Sequence, residues 1–195
     1  MDTIRVEQTQ DVLVRTAAVI AAQRQFAQRL RQRTVADPLT GLPVRSLLID
    51  RLERALAEAG NEAGRLAVLS CNLDGITALE QAHGHTVAEA ARGEAAGRLV
   101  AAVRQGDVVA RVSSQTFVLL CPAIHAVADA HGIAGRVAAA FDAPLHPTPH
   151  VSHQVRLSVG VAISGRASTP ESLVAAANEA MTQVRHDRQT PGRPR

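Results

Sequence analysis

The most chemically loaded stretch of the chain runs from Arg104 to Pro122: Arg-Gln-Gly-Asp-Val-Val-Ala-Arg-Val-Ser-Ser-Gln-Thr-Phe-Val-Leu-Leu-Cys-Pro. Arg104, Asp107 and Arg111 fix charge at the approach to two apolar runs that read as a buried hairpin, with Ser113 and Ser114 in its turn. A second group of reactive types is His146, His150 and His153. No Cys or acid stands beside them at metal-ligand spacing, and Pro147 and Pro149 favour an extended, solvated loop over a zinc site. Cys71 and Cys121 lie inside apolar runs, which predicts buried free thiols rather than a disulfide framework. The chain has no Gly-rich phosphate loop of the Walker kind and no Ser-His-Asp arrangement.

The elements that must position these groups follow in order. Residues 3–34 are predicted helical, with Val12, Val19 and Phe26 recurring every seven residues. Two readings fit that seam: a short parallel coiled coil, hence a dimer or a partner contact, and a single amphipathic helix packed on its own domain. Asp37-Pro38-Leu39-Thr40-Gly41-Leu42-Pro43 breaks it, and a helix is predicted from about Val44 to Ala59. Leu66 to Leu73 reads as a buried strand. Asp74-Gly75-Ile76-Thr77 opens a helix, and His83-Gly84-His85 leads to an Ala-rich helix over Val87–Val103. After the hairpin come a helix over Ala126–Ala140, a Pro- and His-rich loop over Phe141–Gln154, an alternating strand over Val155–Ile163 and a last helix from Glu171 to about Arg185. The tail over residues 189–195 is expected to be disordered.

At 195 residues, 46% hydrophobic and 20% charged, the chain is the size of one ordinary globular domain plus an appendage. With no Trp or Tyr, its core must be built from Ala, Val, Leu and Ile. The net charge of +3 is too small to indicate nucleic-acid binding, and the basic excess sits at the two ends. No apolar run reaches the ~18 residues of a membrane span, and the N-terminus lacks the apolar core of a signal peptide. The expectation is a cytoplasmic chain without membrane or nucleic-acid partners.

Several of these motifs, in register, resemble the GGDEF family of diguanylate cyclases. Asp37, Leu39, Thr40, Gly41, Leu42 and Arg45 match its Asp-x-Leu-Thr-Gly-Leu-x-Asn-Arg opening motif. Asp74, Gly84 and His85 match the region after its first strand. The strand carrying Ser158 and Gly160, and the helix carrying Ala177 to Met181, match further on. Ser113-Ser114-Gln115-Thr116-Phe117 stands where that family has Gly-Gly-Asp/Glu-Glu-Phe. The resemblance covers about residues 36–188. It implies an α/β fold, an α+β sandwich with a nucleotidyl-cyclase-like, mostly antiparallel central sheet wrapped by helices. It also implies three segments: an N-terminal helix over 1–35, a degenerate GGDEF domain over 36–188, and the tail.

The resemblance also implies where chemistry would sit. The cyclase reaction joins two GTP molecules and needs divalent metal held by carboxylates. At the implied metal positions this chain has Asn72, Gln115 and Thr116, and Ser113 and Ser114 replace the signature glycines. Glu80 and Glu89 stand at the guanine-reading positions, Arg185 at that of a phosphate-binding Lys, and Thr77 at that of another Lys. These substitutions predict a chain that is not an enzyme and holds no metal or cofactor. A second implied site survives: Arg104-Gln105-Gly106-Asp107 aligns with an inhibitory Arg-x-x-Asp motif that binds cyclic di-GMP, with Arg136 as a further contact. A guanidinium fork matches guanine O6 and N7, and a carboxylate accepts from its N1 and N2 hydrogens. The plainer alternative is an Arg complementing a helix C-terminus, followed by a turn Asp. The expected function is a catalytically inactive GGDEF signalling protein acting as a cyclic di-GMP receptor. An interaction scaffold and a GTP-binding regulatory domain are the alternatives.

Overall fold

A computed structural model describes residues 36–60 and 63–189. The elements are α1 (Arg45–Ala59), β1 (Leu66–Asp74), α2 (Ile76–His83), α3 (His85–Ala102), β2 (Val108–Arg111), β3 (Thr116–Pro122), α4 (Val127–Ala139), β4 (Leu145–Thr148), β5 (Val151–His153), β6 (Arg156–Ile163) and α5 (Pro170–Gln189). The main sheet has the order β2-β3-β1-β6, with every pairing antiparallel. This is the α+β sandwich expected from the sequence. The predicted helix over 1–35 lies outside the described residues, as does all of the predicted tail except Gln189, the last residue of α5.

Strand alternation divides the core in two. Ala67, Leu69, Cys71 and Leu73 of β1 face one layer, where they pack with α2, α3 and α4. Leu66 and Val68 face the other, where they meet Leu48 and Leu52 of α1 and Leu173 and Ala177 of α5. Because helices cover both faces, β1 is buried along nearly its whole length and reads as a continuous apolar run. The buried face of α3 carries Ala88, Ala91, Ala95 and Leu99 at helical spacing, and these small side chains let the helix approach the sheet closely. Opposite, α5 closes on Gly160 of β6. A Cβ there would stand 2.0 Å from the Met181 nitrogen and 2.3 Å from the Ala177 carbonyl oxygen, so this position must lack a side chain.

Two local expectations are corrected. The predicted loop over Phe141–Gln154 contains a two-stranded hairpin, β4–β5. Its anchors come from α3, where Arg98 donates to the Ala140, Ala143 and Pro144 carbonyls and Glu94 accepts from the His146 amide. The last helix extends beyond Arg185 to Gln189, and Arg188 Nη1 donates to the Leu157 carbonyl of β6 at 2.9 Å. Cys71 and Cys121 are buried free thiols, and burial pushes both up from the ordinary thiol range. Among the described residues no helix is long and apolar enough to cross a membrane.

Candidate functional site

Two polar regions sit at different places on this frame. The first lies at the C-terminal end of β1, where the register places Asn72 opposite Thr116 on one side and Ser158 on the other. Asn72 Nδ2 donates to Asp74 Oδ1 at 2.8 Å, and Ser158 Oγ donates to Asp74 Oδ2 at 2.5 Å. Asn72 itself is buried. Gln115 turns away from this pair and donates from Nε2 to Thr77 Oγ1 at 2.6 Å, bridging the hairpin turn to the first residues of α2. Ser113 Oγ accepts from the Thr116 amide at 3.1 Å and the Gln115 amide at 3.4 Å. The turn is thus closed by its own serine, and neither Ser113 nor Ser114 takes a left-handed angle. Of the sequence-predicted positions, the register brings Asn72 beside Thr116, at the end of the turn that holds Ser113, Ser114 and Gln115. As a cradle for a divalent ion the set fits poorly: one carboxylate is present, and each of its oxygens already accepts a hydrogen bond.

Beside this region, the α2–α3 corner joins Glu80 and Glu89 through His85. His85 Nδ1 lies 2.7 Å from Glu80 Oε1 and its Nε2 lies 3.3 Å from Glu89 Oε1. Arg92, buried under the corner, reaches the other Glu80 oxygen at 2.5 Å. The hydrogen bonds from His85 and Arg92 hold the Glu80 carboxyl below its usual range. The hydrogen bond to Glu80 and the charge of Glu89 lift the imidazole above its own. Glu80 and Glu89, which the resemblance placed against guanine, are here bonded to a side chain of their own chain.

The second region lies at the far end of the hairpin. Arg104 follows the C-terminus of α3, and Gly106, at φ 98°, turns the chain so that Asp107 comes back to it. Asp107 Oδ1 accepts from Arg104 Nε and Oδ2 from the Arg104 amide, both at 3.2 Å. Arg104 Nη2 donates to the Pro122 and Ala123 carbonyls at 2.6 and 3.1 Å. Arg136, on α4, donates from Nε to the Ala102 carbonyl at 2.8 Å. The helix-terminal carbonyl is thus satisfied by Arg136, whereas Arg104 is directed to the end of β3. Arg104 and Arg136 line a common cavity of about 410 Å³, with Ile124, His125, Asp129 and Ile133 on its other walls. The Arg104 side chain is 50% exposed, while that of Asp107 is fully covered. Asp107 therefore acts here as the residue that orients the guanidinium.

The pattern of the family described as "Diguanylate cyclase, GGDEF domain" matches residues 34–191. The chain belongs to the GGDEF family. Among its relatives, the bifunctional diguanylate cyclase/cyclic di-GMP phosphodiesterase MucR of Pseudomonas aeruginosa is 35% identical over 170 residues, 86% of this chain and 24% of that protein. The diguanylate cyclase TpbB of Pseudomonas aeruginosa is 32% identical over 146 residues, 74% of this chain and 34% of that protein. This GGDEF chain therefore spans about a quarter to a third of the length of these relatives. The solved GGDEF domain of TpbB (YfiN) superposes with a TM-score of 0.74 at 30% identity, covering 78% of this chain and 89% of that one. The GGDEF domain of DgcB from Caulobacter crescentus, solved in complex with cyclic di-GMP, shares the fold with a TM-score of 0.70 at 18% identity, covering 79% and 89%.

These relatives correct the expectation that the chain is not an enzyme: proteins at 32–35% identity are named diguanylate cyclases, so this GGDEF domain falls in an enzyme family. That expectation rested on the carboxylates replaced at Asn72, Gln115 and Thr116. A charge deficit lowers metal affinity by degrees, and Asp74 remains at the strand end among the replaced positions.

Sequence reasoning missed some positions in the GGDEF domain. Arg111 Nη1 binds both oxygens of Asp37 at 2.8 and 3.0 Å, locking the opening motif to the hairpin. Burial alone would raise the Asp37 carboxyl, but the hydrogen bonds from Arg111 and Thr40 outweigh it and hold it low. Ser158 as a partner of Asp74, and His125 and Asp129 as cavity walls, were also unforeseen. Only the alternation of β6, which puts Ser158 on the face of Asp74's neighbours, hinted at the first.

Proposed function

We propose that this GGDEF domain works in cyclic di-GMP signalling as a receptor, taking the dinucleotide in the cavity between Arg104 and Arg136. The observation that carries this reading is the meeting of those two guanidiniums, 32 positions apart in sequence, on one cavity wall. Arg104 is held by Asp107 and two carbonyls through Nε and Nη2, so its fork is pre-oriented before a ligand arrives. Half of its side chain remains open to solvent. The Nη1 N–H groups remain for an acceptor on the guanine edge, O6 or N7, and the phosphates of the dinucleotide suit the second cation. The cyclic di-GMP bound to the DgcB domain is a property of that protein, and supports the reading only through the shared fold.

Calorimetric titration with cyclic di-GMP tests it. The native chain gives saturable heat, and Arg104→Ala weakens binding by about 10- to 100-fold, the worth of one hydrogen bond from a charged donor. Arg136→Ala weakens it less. Absence of heat from the native chain, or an unchanged affinity in Arg104→Ala, would refute the receptor reading.

A further inference from the structure

A third polar cavity lies where the C-terminal ends of α4 and α5 meet the first residues of β6, bordering the first region through Arg156. It measures about 710 Å³, within the range of small-molecule sites. Ala138, Ala139, Phe141 and Leu157 supply its apolar walls, and Asp142, Arg156 and Arg188 supply charge. Arg188 Nη1 is anchored on the Leu157 carbonyl, which leaves its remaining N–H donors to the cavity. Neither the Arg156 guanidinium nor the Asp142 carboxylate has a side-chain partner among the described residues.

Several other charged groups of the domain are committed to protein partners. Arg98 holds three carbonyls, Arg111 holds Asp37, Arg92 holds Glu80, and Asp129 holds two amides. Here two cations and one anion face a shared space without pairing. Two guanidiniums suit a doubly charged phosphate. A carboxylate suits adjacent N–H donors on a ring edge. Small, flat walls from α4 leave room for the ring between them.

We propose that this cavity is a separate ligand site for a phosphate monoester carrying a donor-bearing heterocycle, with Arg156 and Arg188 on the phosphate and Asp142 on the ring N–H groups. Its position gives occupancy a consequence. Arg156 is the cross-strand partner of Asp74, so a ligand that draws Arg156 outward acts directly opposite the carboxylate at the centre of the cluster at the end of β1. The site does not depend on the cyclic di-GMP reading.

The test uses 5′-GMP and inorganic phosphate as probes, by calorimetry on the full chain. The native protein binds 5′-GMP more tightly than phosphate. Arg156→Gln weakens both by about tenfold, as expected for loss of a charged hydrogen-bond donor. Asp142→Asn weakens 5′-GMP alone. Ala139→Trp, at an exposed helix position, fills the cavity without altering its charge and abolishes binding of both. No heat from either probe at millimolar concentration would overturn the proposal. So would equal affinities in native, Arg156→Gln and Ala139→Trp proteins.

Discussion

The cluster at the end of β1 and the cavity beside Arg104 differ in how their polar groups are satisfied. At the strand end, Asn72 and Ser158 bond both oxygens of Asp74, Gln115 bonds Thr77, and Ser113 closes its own turn. Together these bonds hold the site in one arrangement. In the cavity, the polar partners of Arg104 fix its direction while half the side chain stays exposed. A self-satisfied cluster resists a ligand because each new contact must displace an existing one. Arg104 keeps its Nη1 N–H groups uncommitted, so a ligand can reach them without that cost.

The largest effect comes from breaking the frame on which both regions hang. Gly160→Ala would push a methyl group into the backbone of α5 at Met181 and Ala177. We expect a loss of about 3 kcal/mol, at the upper end of overpacking costs because the obstacle is backbone. Urea denaturation followed by circular dichroism measures it. The helical signal and cyclic di-GMP binding should be lost in one transition; two separate transitions would mean that the regions do not share a scaffold.

A smaller change sharpens the contrast in charge. Asn72→Asp with Gln115→Glu adds one carboxylate beside Asp74 and one at the hairpin turn. In the presence of GTP, magnesium should bind about tenfold more tightly to this variant than to the native chain, since even well-solvated charge pairs at contact are worth about 1 kcal/mol each. Calorimetry with magnesium and GTP reads the difference. Cyclic di-GMP affinity at the arginine cavity should stay the same. An unchanged magnesium affinity would show that the two regions do not differ through those carboxylates.

How much of this could be read from the chain alone follows from the range of each interaction. The main strands and the helices were legible because alternation and helical spacing are local, as in β1 and in the Ala88–Leu99 face of α3. The positions of both regions were legible only through the motifs around them. Their bonding was not. Arg98 reaches carbonyls more than 40 residues away to pin the β4–β5 hairpin, and Asp74 meets Ser158 across 84 positions. Gln115, read as a substituted metal position, instead ties the turn to α2 across 38 positions. None of these pairings has a sequence period.

Backbone strain differs between the regions as well. Among the described residues the non-glycine positive φ belongs to Ala123, at 54°, whose carbonyl accepts from Arg104. The turn at Ser113–Ser114 has none. Ala123→Gly should therefore raise stability by about 0.5 kcal/mol, a relief of left-handed strain reduced by the added freedom of glycine in the unfolded chain. Denaturation midpoints measure it. A loss of stability would mean that the Ala123 methyl contributes packing that outweighs the strain.

The smallest effect belongs to the exposed His85 network at the α2–α3 corner. His85 sits above its ordinary value of 6.5, because Glu80 accepts its hydrogen bond and Glu89 adds negative charge. A raised folded value contributes stability that is complete below 6.5 and is lost as pH rises through the raised value. Glu80 acts in the opposite sense: its depressed value contributes stability above the ordinary carboxylate range, lost as pH falls through the lowered one. The network is therefore strongest in mildly acidic solution, between the two groups' ordinary values. The melting-temperature difference between the native chain and His85→Ala should be greatest there and shrink toward alkaline pH. Ser113→Ala, which alters the neutral turn, should show no such slope. A difference for His85→Ala that is flat across this range would mean that the imidazole is held by shape rather than by charge.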